Sequence, residues 1–253
     1  MPSSIAIINQ KGGVGKTTTA VNLGAGLACQ GQRVLLVDMD PQGNATSGLG
    51  IDKGGLAATS YDVLSGEATV AKAALPTRVE GLSIVPATID LAGAEIELVS
   101  ALARESQLRS ALEPALESYD YLLLDSPPSL GLLTVNALTA ADRVLIPIQC
   151  EFYALEGLTQ LTRTLDLVTR RLNPRLGLLG VLLTMYDHRT RLARDVAAEV
   201  RRHFGALVFG SVIPRSVRLS EAPSHGETIF TYDPRSKGAR AYLELAKEVI
   251  RRG

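Results

Sequence analysis

The chain has 253 residues, of which 46% are hydrophobic and 21% charged, and its formal net charge at pH 7 is zero. This composition is typical of a soluble globular protein and excludes intrinsic disorder, a fibrous repeat and a disulfide-stabilised scaffold. The two cysteines cannot supply a four-cysteine zinc site, and no apolar run reaches the ~20 residues that span a bilayer. We therefore expect a single cytoplasmic domain over residues 1–253.

The N-terminal segment predicts a strand, a glycine-rich turn, a helix and a second strand. The apolar run from Ile5 to Asn9 predicts a buried strand, and apolar residues at helical spacing predict a helix from Lys16 to Gln30, which Gly31 ends. A second apolar run, Arg33 to Asp38, predicts the next strand. A β-loop-α-β unit of this kind is typical of a parallel sheet.

The rest of the chain continues this alternation. Continuous apolar runs predict strands at residues 82–85, 121–125, 143–148, 178–183 and 207–213. Apolar residues at helical spacing predict helices at residues 91–104, 107–117, 131–140, 155–172, 191–204 and 238–251. The glycine-rich segment from Gly43 to Gly55 predicts a mobile loop. We therefore predict an α/β fold with a doubly wound, mostly parallel sheet that has helices on both faces.

The turn before the first helix contains part of a phosphate-binding motif. Gly15, Lys16 and Thr17 form the Gly-Lys-Thr end of a Walker A loop, placed between a strand and a helix. Glycines there let backbone N–H groups and the helix N-terminus face phosphate oxygens. We expect Lys16 to neutralise the β- and γ-phosphates of ATP and the Thr17 hydroxyl to bind Mg²⁺. The usual motif has glycine where this chain has Gln10, and a second lysine, Lys11, follows.

Three aspartates follow strands at the edge of the sheet where the Walker A loop lies. Asp38 and Asp40 follow the second strand, and Asp125 ends the strand at residues 121–125. We expect Asp40 to orient or activate the attacking water, Asp38 to support the water shell of Mg²⁺, and Asp125 to contact Mg²⁺ through water, as a Walker B aspartate does. On turn chemistry alone, Asp40 is also explained as the start of a turn.

The phosphate-binding loop departs from the usual motif in an informative way. The run Lys11-Gly12-Gly13-Val14-Gly15-Lys16-Thr17-Thr18 resembles the deviant Walker A loop of the ParA/MinD family of ATPases. The resemblance implies a P-loop NTPase fold of the deviant Walker A type, in which all eight residues contact the nucleotide. It also implies that Lys11 reaches across an ATP-dependent homodimer to the phosphates held by the partner subunit. The expected catalytic residues are then Lys11, Lys16 and Asp40.

Other segments favour the ParA/Soj branch of that family. These segments are 40–44, 126–131, 149–151, 213–215 and 217–226, whereas Ser216 stands where many relatives have Asn. The resemblance implies that the adenine lies near residues 184–187 and 214–216. The expected contacts to the nucleotide outside the loop are Glu151, Met185, Pro214 and Arg215. Pro214 is equally well explained as the end of a strand.

Basic residues are concentrated towards the C-terminus. From residue 181 onward there are 13 Lys and Arg against 8 Asp and Glu, whereas acidic residues are in excess before it. By position, Arg189 and Arg218 resemble the arginines with which relatives bind DNA without sequence preference, and Arg191, Arg194 and Arg215 would extend that patch. An ordinary arginine-rich surface explains the charge count equally well.

The resemblance implies an ATPase that partitions DNA. Such a protein dimerises on ATP, coats the nucleoid by non-specific DNA binding, and is released when a ParB-type centromere-binding partner stimulates hydrolysis. The expected location is cytoplasmic and nucleoid-associated, with no membrane partner. The alternative is a MinD-like membrane-associated regulator, because the C-terminal helix is amphipathic, although an apolar stripe at helical spacing is usually a core face. A reductase of the iron-protein type would need cluster cysteines that this chain lacks.

Overall fold

The computed structural model describes residues 2–151 and 158–252, in which strands and helices alternate. The strands are β1 (Ser3–Ile7), β2 (Val34–Asp38), β3 (Leu75–Pro76), β4 (Leu82–Val85), β5 (Tyr121–Asp125), β6 (Arg143–Gln149), β7 (Gly177–Tyr186) and β8 (Val208–Pro214). The helices are α1 (Lys16–Ala28), α2 (Asn44–Gly48), α3 (Ser60–Ser65), α4 (Val70–Ala73), α5 (Leu91–Glu97), α6 (Gln107–Leu112), α7 (Leu132–Ala140), α8 (Leu158–Arg171), α9 (Arg191–Phe204), α10 (Val217–Glu221), α11 (Ile229–Tyr232) and α12 (Lys237–Arg252).

Within the described ranges, eight strands form one sheet in the order β3-β4-β2-β5-β1-β6-β7-β8. Every neighbouring pair is parallel except β3 and β4, which are antiparallel. Parallel strands require crossover connections, and here helices make them. The carboxyl ends of the parallel strands consequently share one edge of the sheet, and the loops that follow them are neighbours there.

The sheet has a hydrophobic core on each face. Successive residues of a strand point to opposite sides, so each buried strand contributes to both cores. On β1, Ile5 and Ile7 belong to a core cluster that also contains apolar residues of α1 and α12. Ala6 and Ile8 belong to a second cluster, which is built with residues of α3 and of α5 to α9. The predicted doubly wound α/β fold with helices on both faces is therefore confirmed.

Most predicted elements are present, with differences at their ends. The strands at 82–85 and 121–125 and the helix at 191–204 have the predicted bounds. The helices predicted at 91–104 and 107–117 are shorter, because their C-terminal parts are 3₁₀ turns at Leu98–Ser100 and Glu113–Ser118. The helix predicted from residue 155 is described from Leu158, and residues 155–157 lie outside the described residues. The short strand β3 was not predicted.

The segment from Gly43 to Gly55 was predicted to be a mobile loop, but it contains the helix α2. Gly43 precedes α2 with a φ of +60°, and a Cβ atom there would lie 2.6 Å from the carbonyl oxygen of Ala87. The Lys53 ammonium donates to the Gln42 carbonyl oxygen over 2.6 Å. Glycine thus serves a tight turn against the end of β4 rather than chain mobility.

The C-terminal helix α12 packs on the core, as its apolar stripe predicted. Tyr242, Leu245 and Ala246 are buried against α1, where Gly26 leaves room for the close approach of the two helices. Among the described residues, no helix combines the length and apolarity needed to cross a bilayer. The amphipathic stripe of α12 is accounted for by helix packing.

Candidate functional site

The loop between β1 and α1 has the backbone shape of a phosphate cradle. Gly13 and Gly15 have φ values of +76° and +89°, in the left-handed region that favours glycine. Gly15 precedes the first residue of α1, and its carbonyl accepts from the Thr19 amide over 2.9 Å. The N-terminus of a helix thirteen residues long therefore faces the cavity formed by this loop.

Two buried side chains hold this loop from opposite sides. The Asn9 carboxamide donates to the Pro147 carbonyl over 2.7 Å and accepts from the Lys11 amide over 3.0 Å. On the other side, the Thr184 hydroxyl donates to the Val14 carbonyl over 2.8 Å. The loop is thereby fixed to β6 and to β7, the two strands that follow β1 in the sheet.

The two lysines of the loop have different surroundings. Lys16 is buried, and its ammonium donates to the Lys11 carbonyl over 3.2 Å. Burial lowers the pKa of Lys16, while the carboxylates of Asp125 and Asp40 oppose that change. Lys11 is half-exposed, and its ammonium lies 3.7 Å from the Glu151 carboxylate, which is itself exposed. An exposed ion pair of this length is weak, so the Lys11 side chain is readily released.

Asp38 and Asp125 lie side by side at the ends of β2 and β5, next to the end of β1. Asp125 is fully buried, and burial raises its pKa well above the ordinary value, with the charge of Asp38 adding to the effect. Within the described part of the chain, both Asp125 carboxylate oxygens and the Ser126 hydroxyl lack a hydrogen-bond partner. The Thr17 hydroxyl lies near enough to lower the pKa of Asp125 without reaching hydrogen-bond geometry.

Asp38 and Asp40 are held by the chain that follows them. Asp38 accepts from the amide and the hydroxyl of Thr46 over 2.9 and 2.7 Å, and from the Asp40 amide over 3.2 Å. Burial raises the pKa of Asp38 to about 6, against these hydrogen bonds, which lower it. Asp40 is 7% exposed, and one carboxylate oxygen accepts from the Gln42 amide over 2.9 Å. The other oxygen of Asp40 has no partner among the described residues.

A cavity of about 590 Å³ at the phosphate loop suits the phosphates of ATP with Mg²⁺. Its walls combine the glycine loop, Lys16, Thr17 and Asp40 with residues of α2. The unpartnered oxygens of Asp125 and Ser126 are buried at the same strand end, and buried polar atoms normally have partners. A hydrated cation beside the Thr17 hydroxyl would supply those partners, so the donor set fits Mg²⁺.

A second cavity of about 670 Å³ adjoins the first, and Gly15, Thr18 and Met185 line both. Of the residues expected near the adenine, the cavity is lined by Thr184, Met185, Asp187, Pro214, Arg215 and Ser216, and Glu151, which the resemblance implies lies on the ribose side, lines it too. Tyr186 pairs with Pro214 across β7 and β8, and the Arg215 amide donates to the Tyr186 carbonyl over 3.1 Å. Met185 has a φ of +50°, an uncommon conformation for a residue with a side chain.

The two arginines expected to bind DNA follow the neighbouring strands β7 and β8, and both are exposed. Arg189 follows β7 and donates to both carboxylate oxygens of Asp187 over 2.9 and 2.7 Å. Arg218, in α10 after β8, lies 3.1 Å from Glu221 and 3.7 Å from Asp233. The Arg189 guanidinium lowers the pKa of Asp187. Because these pairs are solvated, phosphate groups can replace the carboxylates at little cost.

Sequence reasoning did not identify three residues that hold the site together. Thr46 binds Asp38, Thr184 binds the phosphate loop, and Asn9 binds the start of that loop. Thr46 and Asn9 bear no motif signal, and Thr184 stood only within the segment expected near the adenine. A polar residue inside a continuous apolar run, as in β7, is the one signal that could have indicated such a role.

Comparison with known proteins assigns this site to a family. The model of the AAA domain family matches residues 3–178. The chain is 60% identical to the sporulation initiation inhibitor protein Soj of Bacillus subtilis over 253 residues, which cover 100% of both chains. It is 58% identical over 250 residues to the chromosome partitioning protein ParA of Caulobacter vibrioides, covering 98% of this chain and 94% of that protein.

Solved structures of related proteins share the fold of this chain. Cobyrinic acid a,c-diamide synthase from Mycobacterium smegmatis with bound ADP and magnesium is 43% identical, with a TM-score of 0.88 over 99% of this chain and 95% of that one. The cell division ATPase MinD from Pyrococcus furiosus is 28% identical, with a TM-score of 0.81 over 100% of both chains. The chain therefore belongs to the ParA/Soj family of P-loop ATPases, and it uses ATP with Mg²⁺.

Proposed function

We propose that this ATPase partitions DNA: it dimerises on ATP, binds DNA without sequence preference, and is released when a ParB-type centromere-binding protein stimulates hydrolysis. The observation that carries the proposal is the contrast between the two lysines of the phosphate loop. Lys16 is buried at the cavity of its own chain, whereas Lys11 is half-exposed and lies 3.7 Å from the exposed carboxylate of Glu151. An accessible cation beside a phosphate site suits phosphates that a second copy holds.

Within one subunit, the roles follow from position and burial. Lys16 and the loop amides bind the phosphates, and Thr17 and Asp125 hold the Mg²⁺ that enters with ATP. When bound there, the metal ion would supply positive charge to balance the charge that develops on the phosphoryl oxygens. Asp40, which lines the phosphate cavity and accepts from the Gln42 amide with one carboxylate oxygen, orients the attacking water. Asp38 supports this arrangement through its bond from the Asp40 amide.

The base and ribose occupy the adjoining cavity. Met185, Pro214 and Arg215 line it beside Gly15 and Thr18, so a nucleotide whose phosphates lie on the loop extends directly into it. Glu151 lines this cavity and lies beside Lys11, which supports a role for it near the ribose and the dimer face. The base cavity is formed largely by the loops after β7 and β8, at the switch-point edge where α/β folds bind ligands.

Arg189 and Arg218 form the centre of the DNA-binding face, with Arg191, Arg194 and Arg215 around them. All five are exposed, and they lie on the loops after β7 and β8, in the first turn of α9 or in α10. Contacts to phosphates carry no sequence information, which suits nucleoid binding. A dimer presents two such faces, so its DNA affinity exceeds that of the monomer through effective concentration. The expected location is cytoplasmic and nucleoid-associated.

The test is co-sedimentation of Arg189→Ala/Arg218→Ala with non-specific DNA, in ATP and in ADP, over a range of salt concentrations. We expect the variant to lose ATP-dependent DNA retention while DNA-independent hydrolysis persists. Any residual binding should show a salt slope less negative by about 0.9 per lost phosphate contact, or about 3.6 for the four arginines of a dimer. The control Arg33→Ala/Arg78→Ala removes equal charge before β2 and β4, at the opposite edge of the sheet.

Two outcomes would contradict the proposal. Retention of DNA by the Arg189 and Arg218 variant at the level of its control would show that these arginines are not the binding face. The wild-type protein is also mixed with anionic liposomes in ATP and in ADP. ATP-dependent binding to liposomes without binding to DNA would replace partitioning with the MinD-like membrane function.

A further inference from the structure

Thr46 is a polar residue that is 0% exposed, and its hydroxyl joins the C-terminal ends of the neighbouring strands β2 and β4. Its oxygen accepts from the Ala87 amide over 2.9 Å, just after β4, and lies 2.7 Å from an oxygen of Asp38 at the end of β2. Since an amide can only donate, the hydroxyl proton is left for Asp38. The Thr46 amide donates to the same carboxylate oxygen over 2.9 Å. One residue thus fixes Asp38 with two hydrogen bonds.

The fixed carboxylate in turn fixes the residue expected to orient water. The second oxygen of Asp38 accepts from the Asp40 amide over 3.2 Å, and Asp40 accepts from the Gln42 amide over 2.9 Å. Asp40 lines the phosphate cavity and lies close enough to Lys16 to affect its pKa. The backbone from Asp38 to Gln42 is therefore set by hydrogen bonds that end at Thr46.

The same residue also places α2 at the phosphate cavity. Asn44 and Ser47 of α2 line that cavity, while Thr46, between them, points to the core. The bond from the Ala87 amide ties α2 to β4, and the turn at Gly43 lies against the Ala87 carbonyl. The turn at Asp40 and the helix α2 both line the phosphate cavity, and the Thr46 hydroxyl links them to the ends of β2 and β4.

We propose that Thr46 is a positioning residue for ATP hydrolysis, because its hydroxyl bridges Asp38 and the Ala87 amide and so fixes Asp40 at the phosphate cavity. This inference rests on the proposed role of Asp40. Thr46 is fully buried and does not line the phosphate cavity, so its loss displaces Asp40 rather than removing a contact to ATP. A displacement of about 1 Å at a reacting centre reduces the rate on the order of 10²-fold. The effect therefore falls on kcat, with little change in KM.

The test compares the steady-state ATP hydrolysis of the full chain with Thr46→Val and Thr46→Ser. Valine keeps the shape but removes both hydroxyl bonds, whereas serine keeps the hydroxyl. We expect Thr46→Val to lower kcat by roughly 10- to 100-fold with KM for ATP changed less than about 3-fold, and Thr46→Ser to restore most of the rate. Thr139→Val is the control, since it removes a buried 2.8 Å hydroxyl bond within α7, away from the cavity.

Each outcome bears on the inference. A wild-type kcat for Thr46→Val, or a loss no larger than that of Thr139→Val, would overturn it. If Thr46→Val does not fold, Thr46→Cys, whose thiol is a weak donor, should give an intermediate kcat, and a normal kcat would overturn the inference. Asp40→Asn is measured in parallel. Full activity of Asp40→Asn would refute the proposed role of Asp40 itself, whereas its inactivity beside a fully active Thr46→Val would refute only the role of Thr46.

Discussion

The hydrogen bond from Thr184 to the Val14 carbonyl predicts a measurable link between the base cavity and the phosphate loop. Thr184 is 2% exposed, Val14 is 1% exposed, and the two atoms are 2.8 Å apart. Thr184→Val preserves shape but leaves the Val14 carbonyl without its partner. An unsatisfied buried acceptor costs about 1–3 kcal/mol. That cost must be visible either in the free energy of unfolding or in the affinity for nucleotide.

The geometry of the loop decides which of these quantities changes more. Gly12 and Gly13, next to Val14, are exposed, so the free loop can move and hydrate the carbonyl. Binding ATP would then require the loop to close again over an unsatisfied group. At about 1.4 kcal/mol per factor of ten, a cost of about 1–3 kcal/mol raises Kd by about 5- to 150-fold.

The assay is equilibrium titration with a fluorescent ATP analogue in Mg²⁺, accompanied by urea denaturation without nucleotide. Thr184→Ser keeps the hydroxyl and should bind nearly as the wild type does. Thr139→Val, which loses a buried hydroxyl bond of the same length within α7, should unfold more easily but bind ATP normally. If Thr184→Val binds ATP as tightly as Thr139→Val does, the bond supports only the fold and the reasoning is refuted.

Two further predictions concern the loop lysine and a constrained glycine. Lys11→Ala should bind ATP yet remain monomeric, because the lysine that reaches the partner subunit's phosphates is lost. The control Lys72→Ala, which removes an exposed charge from α4, should dimerise normally. Oligomeric state is measured by light scattering after size exclusion, and a normal Lys11→Ala dimer would contradict the role in trans. Gly43→Ala should lower the free energy of unfolding by about 1–3 kcal/mol, because its Cβ would lie 2.6 Å from the Ala87 carbonyl oxygen. Gly55→Ala also has a positive φ, but nothing lies within 4 Å, so denaturation curves should show a smaller loss, and equal losses would refute the steric explanation.

The fold followed from the sequence because its signals are local. Each of the predicted strands is a continuous apolar run between helices of period 3.6, and the carboxyl ends of parallel strands connected by helices share one edge of the sheet. Asp38 and Asp125 were therefore expected at one site from their places at strand ends, and they lie side by side. The strand β3 has two residues, one of them Pro76, and offers no such signal.

What sequence could not provide is which side chains hold others in place. Thr46 bonds to Asp38, eight residues away, and to Ala87, forty-one residues away, so its role exists only after β2 and β4 are paired. The helix α2 has five residues with two glycines beside or within it, and helix propensity alone disfavours it. Its stability comes from tertiary bonds to Asp38 and Ala87, which no window of sequence displays.

The arrangement of β7 and β8 raises the question of how nucleotide controls DNA binding. Six consecutive residues at and just after the end of β7 include Thr184, which holds the phosphate loop, Met185, which lines the cavity proposed for the base, and Arg189, which we propose binds DNA. Movement of the loop after β7 on nucleotide binding could release Arg189 from Asp187. That exposed ion pair is worth at most about 1 kcal/mol, so its release would raise the affinity for DNA by at most about 5-fold. Joining two DNA faces in one dimer contributes about 10²- to 10⁴-fold. On the proposed function, dimerisation is therefore the larger effect, and Lys11→Ala with bound ATP should hold DNA as weakly as the wild type with ADP.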